Sequence, residues 1–246
     1  LLTAKQRDQL DVVLVSPRNP LNIGAVARAM ANFGLARLAV VAPFAAHWRE
    51  ARSAVGAPTL LHDAHQTATL AEALADATLV LGTGTLTYRK PEQRVVSLPA
   101  LAPLVAAEFA RGGRVAFVFG PEKHGLTRED LSFCHVLVEI PTDPQQPSMN
   151  LGQAVAVCLY ELSARTNTAP PADTPASSQV PSATLDRLGT LIEETMSAAG
   201  YSPESMQEAN RHDLRLMLRR LGLNAHDTRR ALGYFRRVLH SLRRPR

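Results

Sequence analysis

Three short polar turns hold the side chains able to do chemistry. The first is Arg18-Asn19-Pro20-Leu21-Asn22-Ile23-Gly24, with Arg28 a helical turn further on. The second is Gly120-Pro121-Glu122-Lys123-His124-Gly125-Leu126, and the third is Ser148-Met149-Asn150, at the end of a proline-rich stretch from Pro141. Asn and Ser side chains both donate and accept hydrogen bonds, and a carboxylate such as Glu122 accepts from a ribose or an amino group. An imidazole such as His124 is a general base by residue type. Each turn also has an ordinary reading. Asn22 fits a helix N-cap followed by a surface arginine, Glu122 fits a local cap or a partner for Lys123, and Ser148 and Asn150 fit caps for the next helix. A lone loop histidine is more often simply exposed.

Such turns need a scaffold, and the flanking pattern supplies one. Short apolar runs at 12–16, 38–42, 78–82, 114–119 and 136–140 predict strands, and a further short strand is expected at Leu60-Leu61-His62. Helical patterns at about 22–33, 47–55, 67–76 and 99–111 lie between them, and a strongly apolar helix runs from Leu151 to about Arg165. Strands alternating with helices predict an α/β domain with a mainly parallel sheet and flanking helices on both faces. Ligands of such sheets bind beyond the carboxyl ends of the strands, where all three turns fall. A fourth turn, Gly82-Thr83-Gly84-Thr85, can present backbone amides to a ligand, although no third glycine completes a dinucleotide fingerprint. Tyr88-Arg89-Lys90 beyond it fits a solvated loop or a substrate contact. Thr127 with Asp130 predicts a capping box, and Gly24 permits a close approach of backbone or ligand.

The bulk composition narrows the class. The 246 residues are 46% hydrophobic and 20% charged, ordinary for a soluble globular chain. No apolar run approaches the roughly 18 residues of a membrane span, and the amino end has no signal-peptide pattern. Cys134 and Cys158 are isolated and fit core positions, so a reduced, cytoplasmic chain is expected. His62-Asp63-Ala64-His65 lacks a further ligand at fixed spacing, and no metal is expected. The charge is uneven. Residues 1–182 carry 15 Lys and Arg against 15 Asp and Glu, whereas 183–246 carry 12 Arg against 7 acids, the whole net charge of +5.

Pro, Ala, Ser and Thr dominate from Thr166 to Ser182, which predicts a linker and a last domain tethered rather than rigidly packed. Helices are expected at about 184–199, 203–221 and 225–242, punctuated by Gly200 and Gly222. In the last of them Arg229, Arg236 and Arg243 are seven apart, as are Arg230, Arg237 and Arg244, and together they form one basic stripe. Arg211, Arg215 and Arg219 make a similar row on the preceding helix. No acid follows Asp227, so these rows, together with Arg18, are expected to hold nucleic-acid phosphates. A solvated charged face is the plain alternative, and a membrane surface is disfavoured by the lack of large aromatic anchors.

Together, Asn22-x-Gly24-x3-Arg28, Phe119-Gly120-x-Glu122-x2-Gly125-Leu126 and Ile140-Pro141-x6-Ser148-x-Asn150-Leu151 resemble the three motifs of SPOUT-class RNA 2′-O-ribose methyltransferases, in order and spacing, over about residues 10–165. The likeness is greatest to the members that modify nucleotide 32 of the tRNA anticodon loop, cytidine and/or uridine, and that carry a helical appendage. It implies a trefoil-knotted α/β domain at 1–165, a flexible linker at 166–182 and a small all-α, arginine-rich tRNA-binding extension at 183–246. It also implies a homodimer and S-adenosylmethionine as methyl donor. Matched loop to loop, it places Thr83, Gly84, Thr85, Gly120, Ile140, Pro147, Ser148 and Met149 around the cofactor. It places Asn22, Arg28, Glu122, Ser148 and Asn150 on the catalytic surface, with Arg28 activating the ribose hydroxyl. A guanidinium keeps its proton to a pH above about 12, so that role is to orient the hydroxyl and its neighbouring phosphate and to stabilise developing alkoxide. The match departs at Pro147, which offers no donor, and at Gly152, where a small side chain is usual. A ribosomal RNA methyltransferase of the same class would share these motifs. So would a non-catalytic, dimeric RNA-binding protein, against which the intact Arg28, Glu122, Ser148 and Asn150 argue.

Overall fold

One seven-stranded sheet, parallel at every pairing, organises the chain. The computed structural model describes residues 1–84, 91–166, 180–201 and 203–243. A short helix α1 (Ala4–Asp8) leads into β1 (Leu10–Val15), α2 (Pro20–Asn32) and β2 (Leu38–Val41). A 3-10 turn (Trp48–Glu50), α3 (Pro58–Asp63), β3 (His65–Thr67) and α4 (Leu70–Ala73) precede β4 (Leu79–Thr83). Then come β5 (Arg94–Ser97), α5 (Ala102–Ala110), β6 (Val115–Phe119), α6 (Arg128–Ser132), β7 (Val136–Glu139) and α7 (Leu151–Arg165). Helices α8 (Ser182–Ala198), α9 (Gln207–Arg220) and α10 (Ala225–Leu242) complete it. None of the described helices is long and apolar enough to cross a membrane.

The strand order is β3-β2-β1-β6-β4-β7-β5. The register puts Val15 beside Val41, Leu14 beside Phe119, Gly82 beside Val118 and Thr83 beside Val138. The exits of β1, β6, β4 and β7 therefore share one edge of the sheet, and all four polar turns meet there. Two strands, β3 and β5, are absent from the expected set. The apolar pair Leu60-Leu61 belongs to a helix, not a strand, because Pro58 opens a helical turn that buries both leucines. The expected helices at 47–55 and 67–76 shorten to the 3-10 turn and to α4.

Alternation along β1 sends Leu10, Val12 and Leu14 to one face of the sheet and Val13 and Val15 to the other. The first face is covered by α2, α3, α5 and α7, the second by α4 and α6. Both faces are buried, which is why the central strands read as continuous apolar runs. Helices α2 and α7 lie so close that a Cβ on Gly152 would stand 2.8 Å from the Ala25 Cβ. Even alanine is tight there, which explains the departure at Gly152.

Helices α8, α9 and α10 form their own small core around Leu188, Ile192 and Leu218. They do not hang free of the sheet domain, as the tethered expectation had it. Ser182 donates to the Ala77 carbonyl through both its N–H and its hydroxyl, each at 2.9 Å. The Arg219 Nε donates to the Phe133 carbonyl at 2.9 Å, and its Nη2 to Asp186 at 2.9 Å. Arg215 lies over the Phe133 ring, 4.0 Å from its centroid, and donates to Glu129 and to the Ser132 hydroxyl. Most of the expected linker lies outside the described residues.

Candidate active site

The turn after β1 is built by Asn19, not Asn22. The Asn19 Oδ1 accepts from the Leu21 N–H at 2.9 Å and caps α2, with Pro20 in the first turn. That releases the Asn22 amide from capping and aims it at the other turns. Its Nδ2 donates to Glu122 at 2.9 Å, and its Oδ1 accepts from Asn150 Nδ2 at 3.0 Å. Asn150 is itself the cap of α7, its Oδ1 accepting from the Gly152 N–H at 3.0 Å and the Gln153 N–H at 3.4 Å. Capping holds the Asn150 oxygen toward its own helix, so its NH2 is left to reach Asn22. One chain of hydrogen bonds, Glu122 to Asn22 to Asn150, thus ties all three turns together.

Glu122 accepts three donors at the start of α2. One oxygen takes the Asn19 N–H at 3.1 Å as well as the Asn22 amide, and the other takes the Arg18 N–H at 3.1 Å. Partial burial alone would raise its pKa. The hydrogen bonds from Asn22, from its own backbone and from Arg18 and Asn19 outweigh that and hold the carboxyl below its ordinary 4.5. It is an anion at neutral pH, at the positive end of a helix.

The second turn folds back on itself. The Gly125 N–H donates to the Pro121 carbonyl at 2.8 Å, with Gly125 at φ +64°. A Cβ on Gly120 would stand 2.2 Å from the Leu126 nitrogen, so no other residue fits. This fold-back opens a cavity of about 480 Å³, lined among others by Thr83, Gly84, Gly120, Ile140, Pro147, Ser148 and Met149. Every described residue expected around the cofactor lies on it, and Thr85 is outside the described residues. Ser148 faces the cavity and takes no part in capping α7. Gly24 serves a backbone approach, since a Cβ there would meet Ser53 Oγ at 2.2 Å and the Ala54 nitrogen at 2.8 Å. Glu139, Lys123, His124 and Thr142 also line the cavity. Glu139 and Thr142 were missed by sequence, although their positions at the end of β7 pointed to this edge.

Arg28 is not brought to this network. It lies six residues beyond Asn22, about 9 Å along the helix and two-thirds of a turn around it. Its side chain is exposed, with no ion pair among the described residues. The row Arg211, Arg215 and Arg219 is also not a free phosphate-binding face. Arg211 pairs with Glu193 at 2.7 Å, while Arg215 and Arg219 are turned inward onto Phe133. On α10, by contrast, Arg229, Arg230, Arg236 and Arg237 are exposed and without ion pairs among the described residues. Arg243 pairs with Glu194 at 3.1 Å, and Arg244 lies outside the described residues. Among the described residues, no three His, Cys, Asp or Glu side chains gather to hold a metal.

A family model described as the SpoU rRNA Methylase family matches residues 9–160. The chain belongs to this family. As a member of it, the chain is an RNA methyltransferase. It is 31% identical over 245 residues to the tRNA (cytidine/uridine-2′-O-)-methyltransferase TrmJ of Pectobacterium atrosepticum, covering 96% of this chain and 98% of that one. It is 41% identical over 160 residues to the tRNA (cytidine/uridine/adenosine-2′-O-)-methyltransferase TrmJ of Pseudomonas aeruginosa, covering 63% of this chain and 60% of that one. The crystal structure of TrmJ from Z. mobilis ZM4 superposes with a TM-score of 0.78 at 30% identity, over 95% of this chain and 99% of that one. That match spans nearly the whole chain, so it takes in the helical region of α8–α10 as well as the sheet.

Proposed function

We propose that the chain transfers the methyl group of S-adenosylmethionine to the ribose 2′-hydroxyl of nucleotide 32 in the tRNA anticodon loop, acting as a homodimer in the cytoplasm. The observation that carries this is the Glu122–Asn22–Asn150 chain of hydrogen bonds, which meets the 480 Å³ cavity at Glu122 and beside the lining residues Met149 and Leu151. A cavity of that size suits a nucleoside-sized cofactor. Its walls fit the group: Leu126, Ile140 and Met149 offer apolar surface to a purine, and Glu122 and Glu139 offer negative charge to a sulfonium. A Cβ on Gly84 would meet nothing within 4 Å, so that backbone faces open space. In this reading the turns at 120–126 and 140–150 are walls of the trefoil knot.

Bound there, the cofactor supplies a methyl group on a sulfonium centre, open to in-line attack by an oxygen. The chain's own residues position that oxygen. Asn22 and Asn150 are locked by Glu122 and by the α7 cap, so the rim is preorganised before RNA arrives. Ser148 adds a hydroxyl at the same mouth. Arg28 completes the surface from a second copy of the chain, which is consistent with its distance from the network in its own. The α2–α7 pair exposes Leu21, Val157 and Tyr160, an apolar face fit for that second copy. Arg28 orients the hydroxyl and its phosphate, and the proton passes to solvent. The four unpaired arginines of α10 and Arg18 hold tRNA phosphates.

The test is incubation with radiolabelled S-adenosylmethionine and either unmodified tRNA or ribosomal RNA, followed by mapping of the labelled ribonuclease fragment and its digestion to nucleosides. Label in a 2′-O-methylated nucleoside at position 32 is the expected outcome. Label in ribosomal RNA alone would keep the chemistry and move the substrate, and label in neither, with cofactor bound, would overturn the reaction.

A further inference from the structure

Two neighbouring strands leave the sheet through strained residues. Ser16 after β1 has φ 45° and Ala42 after β2 has φ 41°, both left-handed and neither glycine. Such strain persists only where the surroundings impose it, and it collects at functional sites. Here it brings two side chains together. The Phe44 N–H donates to the Pro17 carbonyl at 3.1 Å, and the Arg18 guanidinium carbon lies 5.4 Å from the centre of the Phe44 ring. The same Arg18 gives its backbone N–H to Glu122. Phe44 is nonetheless 76% exposed, against a sheet core in which large apolar side chains are fully covered. It does not line the cofactor cavity.

We propose that Phe44 and Arg18 form a platform on which an unpaired base of the RNA substrate, next to the methylated nucleotide, stacks. The inference rests on the reading above, that the ribose is offered at the Glu122–Asn22–Asn150 rim. Single-stranded RNA is recognised largely by stacking splayed bases on aromatic rings and guanidinium planes. The guanidinium lies over one face of the ring, so the other face supplies the stacking surface and the guanidinium supplies charge for the adjoining phosphate. A platform of this kind accepts any base, so it fixes the position of the loop and leaves base identity to other contacts.

The experiment compares Phe44→Ala, Phe44→Leu and Phe44→Trp with the parent chain, using an unmodified tRNA anticodon stem-loop. Alanine and leucine are expected to weaken RNA binding about five- to a hundredfold, the range for truncating a stacking aromatic, with cofactor affinity unchanged. Phe44→Trp is expected to retain binding, and its exposed indole to be quenched by the RNA, whereas the parent's Trp48 is buried and gives a constant background. Affinity unchanged in Phe44→Ala, or retained in Phe44→Leu, overturns the platform. A change of oligomeric state in Phe44→Ala by sedimentation also overturns it, because the ring would then belong to a subunit contact. The two readings fail separately. Quenching without methyl transfer to any RNA sinks the reaction and keeps the platform, while methyl transfer indifferent to residue 44 does the reverse.

Discussion

Glu122→Gln separates the anchor of the site from its scaffold. Three donors converge on the two carboxylate oxygens: the N–H groups of Arg18 and Asn19 and the amide of Asn22. A glutamine has one acceptor oxygen, so whichever way its amide turns, an NH2 faces at least one of those donors. A hydrogen bond to a charged group nets about 1.5–3 kcal/mol, and an anion at a helix N-terminus adds about 0.3–1 kcal/mol. Solvent reaches this carboxylate and takes over part of both contributions, leaving an expected loss of about 1–2 kcal/mol at neutral pH. In a chain of this size that lowers Tm by roughly 2–8 °C. The sign of the pH dependence follows from the carboxyl lying below 4.5 in the folded chain. The unfolded chain takes up the proton first as pH falls. The parent's advantage is therefore full above 4.5, disappears as pH drops through the lowered value, and the two melting curves converge in acid. Activity is expected to fall further than stability. Asn22 loses the partner that fixes its amide, and a displacement near 1 Å at such a site costs about a hundredfold in rate. Single-turnover methyl transfer to unmodified tRNA and thermal melting between pH 3 and 8 measure the two effects. A variant with parental rate, and a Tm difference that does not change with pH, would refute the anchoring role.

Gly120→Ala drives a Cβ into backbone atoms at 2.2 and 2.3 Å, so the 120–126 turn must move and narrow the cavity. At least tenfold weaker cofactor binding by calorimetry is expected, with the sheet intact by circular dichroism. Arg219→Leu removes a guanidinium buried against the Phe133 carbonyl and Asp186, for an expected loss of about 2–3 kcal/mol after allowing for the partial exposure of Asp186. Amide exchange should rise in α9 and not in β1. His135 accepts the Val80 N–H at 3.0 Å, and desolvation and the Arg219 charge lower its pKa from 6.5 to about 3. The fold then excludes a proton that the unfolded chain binds. Stability is full above 6.5 and declines as pH falls toward 3, and His135→Gln should flatten that decline in melting experiments. Replacing Arg229, Arg230, Arg236 and Arg237 together by glutamine should weaken tRNA binding and lower the slope of log affinity against log salt by about 0.7–0.9 per lost phosphate contact. An unchanged slope would remove α10 from the interface.

What the sequence shows and hides follows from where each signal resides. The central strands β1, β2, β4, β6 and β7 are covered on both faces, so their apolar runs stand out unaided. The edge strands β3 and β5 each bury a single side chain, Thr67 and Val96, and such a pattern cannot be told from a loop. Asn19 was legible, since Pro20 marks the first helical turn and so points to the residue before it as the cap. Recognising that cap frees Asn22 for the site, and the two assignments stand or fall together. The arginine rows show the opposite case. The spacing of Arg211, Arg215 and Arg219 is as regular as that of the α10 stripe, and periodicity says only that each row shares a helix face. Which face meets solvent depends on Glu129, Ser132 and Phe133, some eighty residues away, which turn Arg215 and Arg219 inward. The same limit applies to Arg28. A motif spacing carries a residue to the right helix, but a network closed by Glu122, Asn22 and Asn150 within one chain leaves Arg28 outside it. Whether Arg28 acts in methyl transfer and whether the exposed α2–α7 face meets a second copy are therefore one question. If Arg28→Ala abolishes methyl transfer, while a mixture of that variant with a chain inactivated at Asn150 recovers activity, each site takes its arginine from the other subunit.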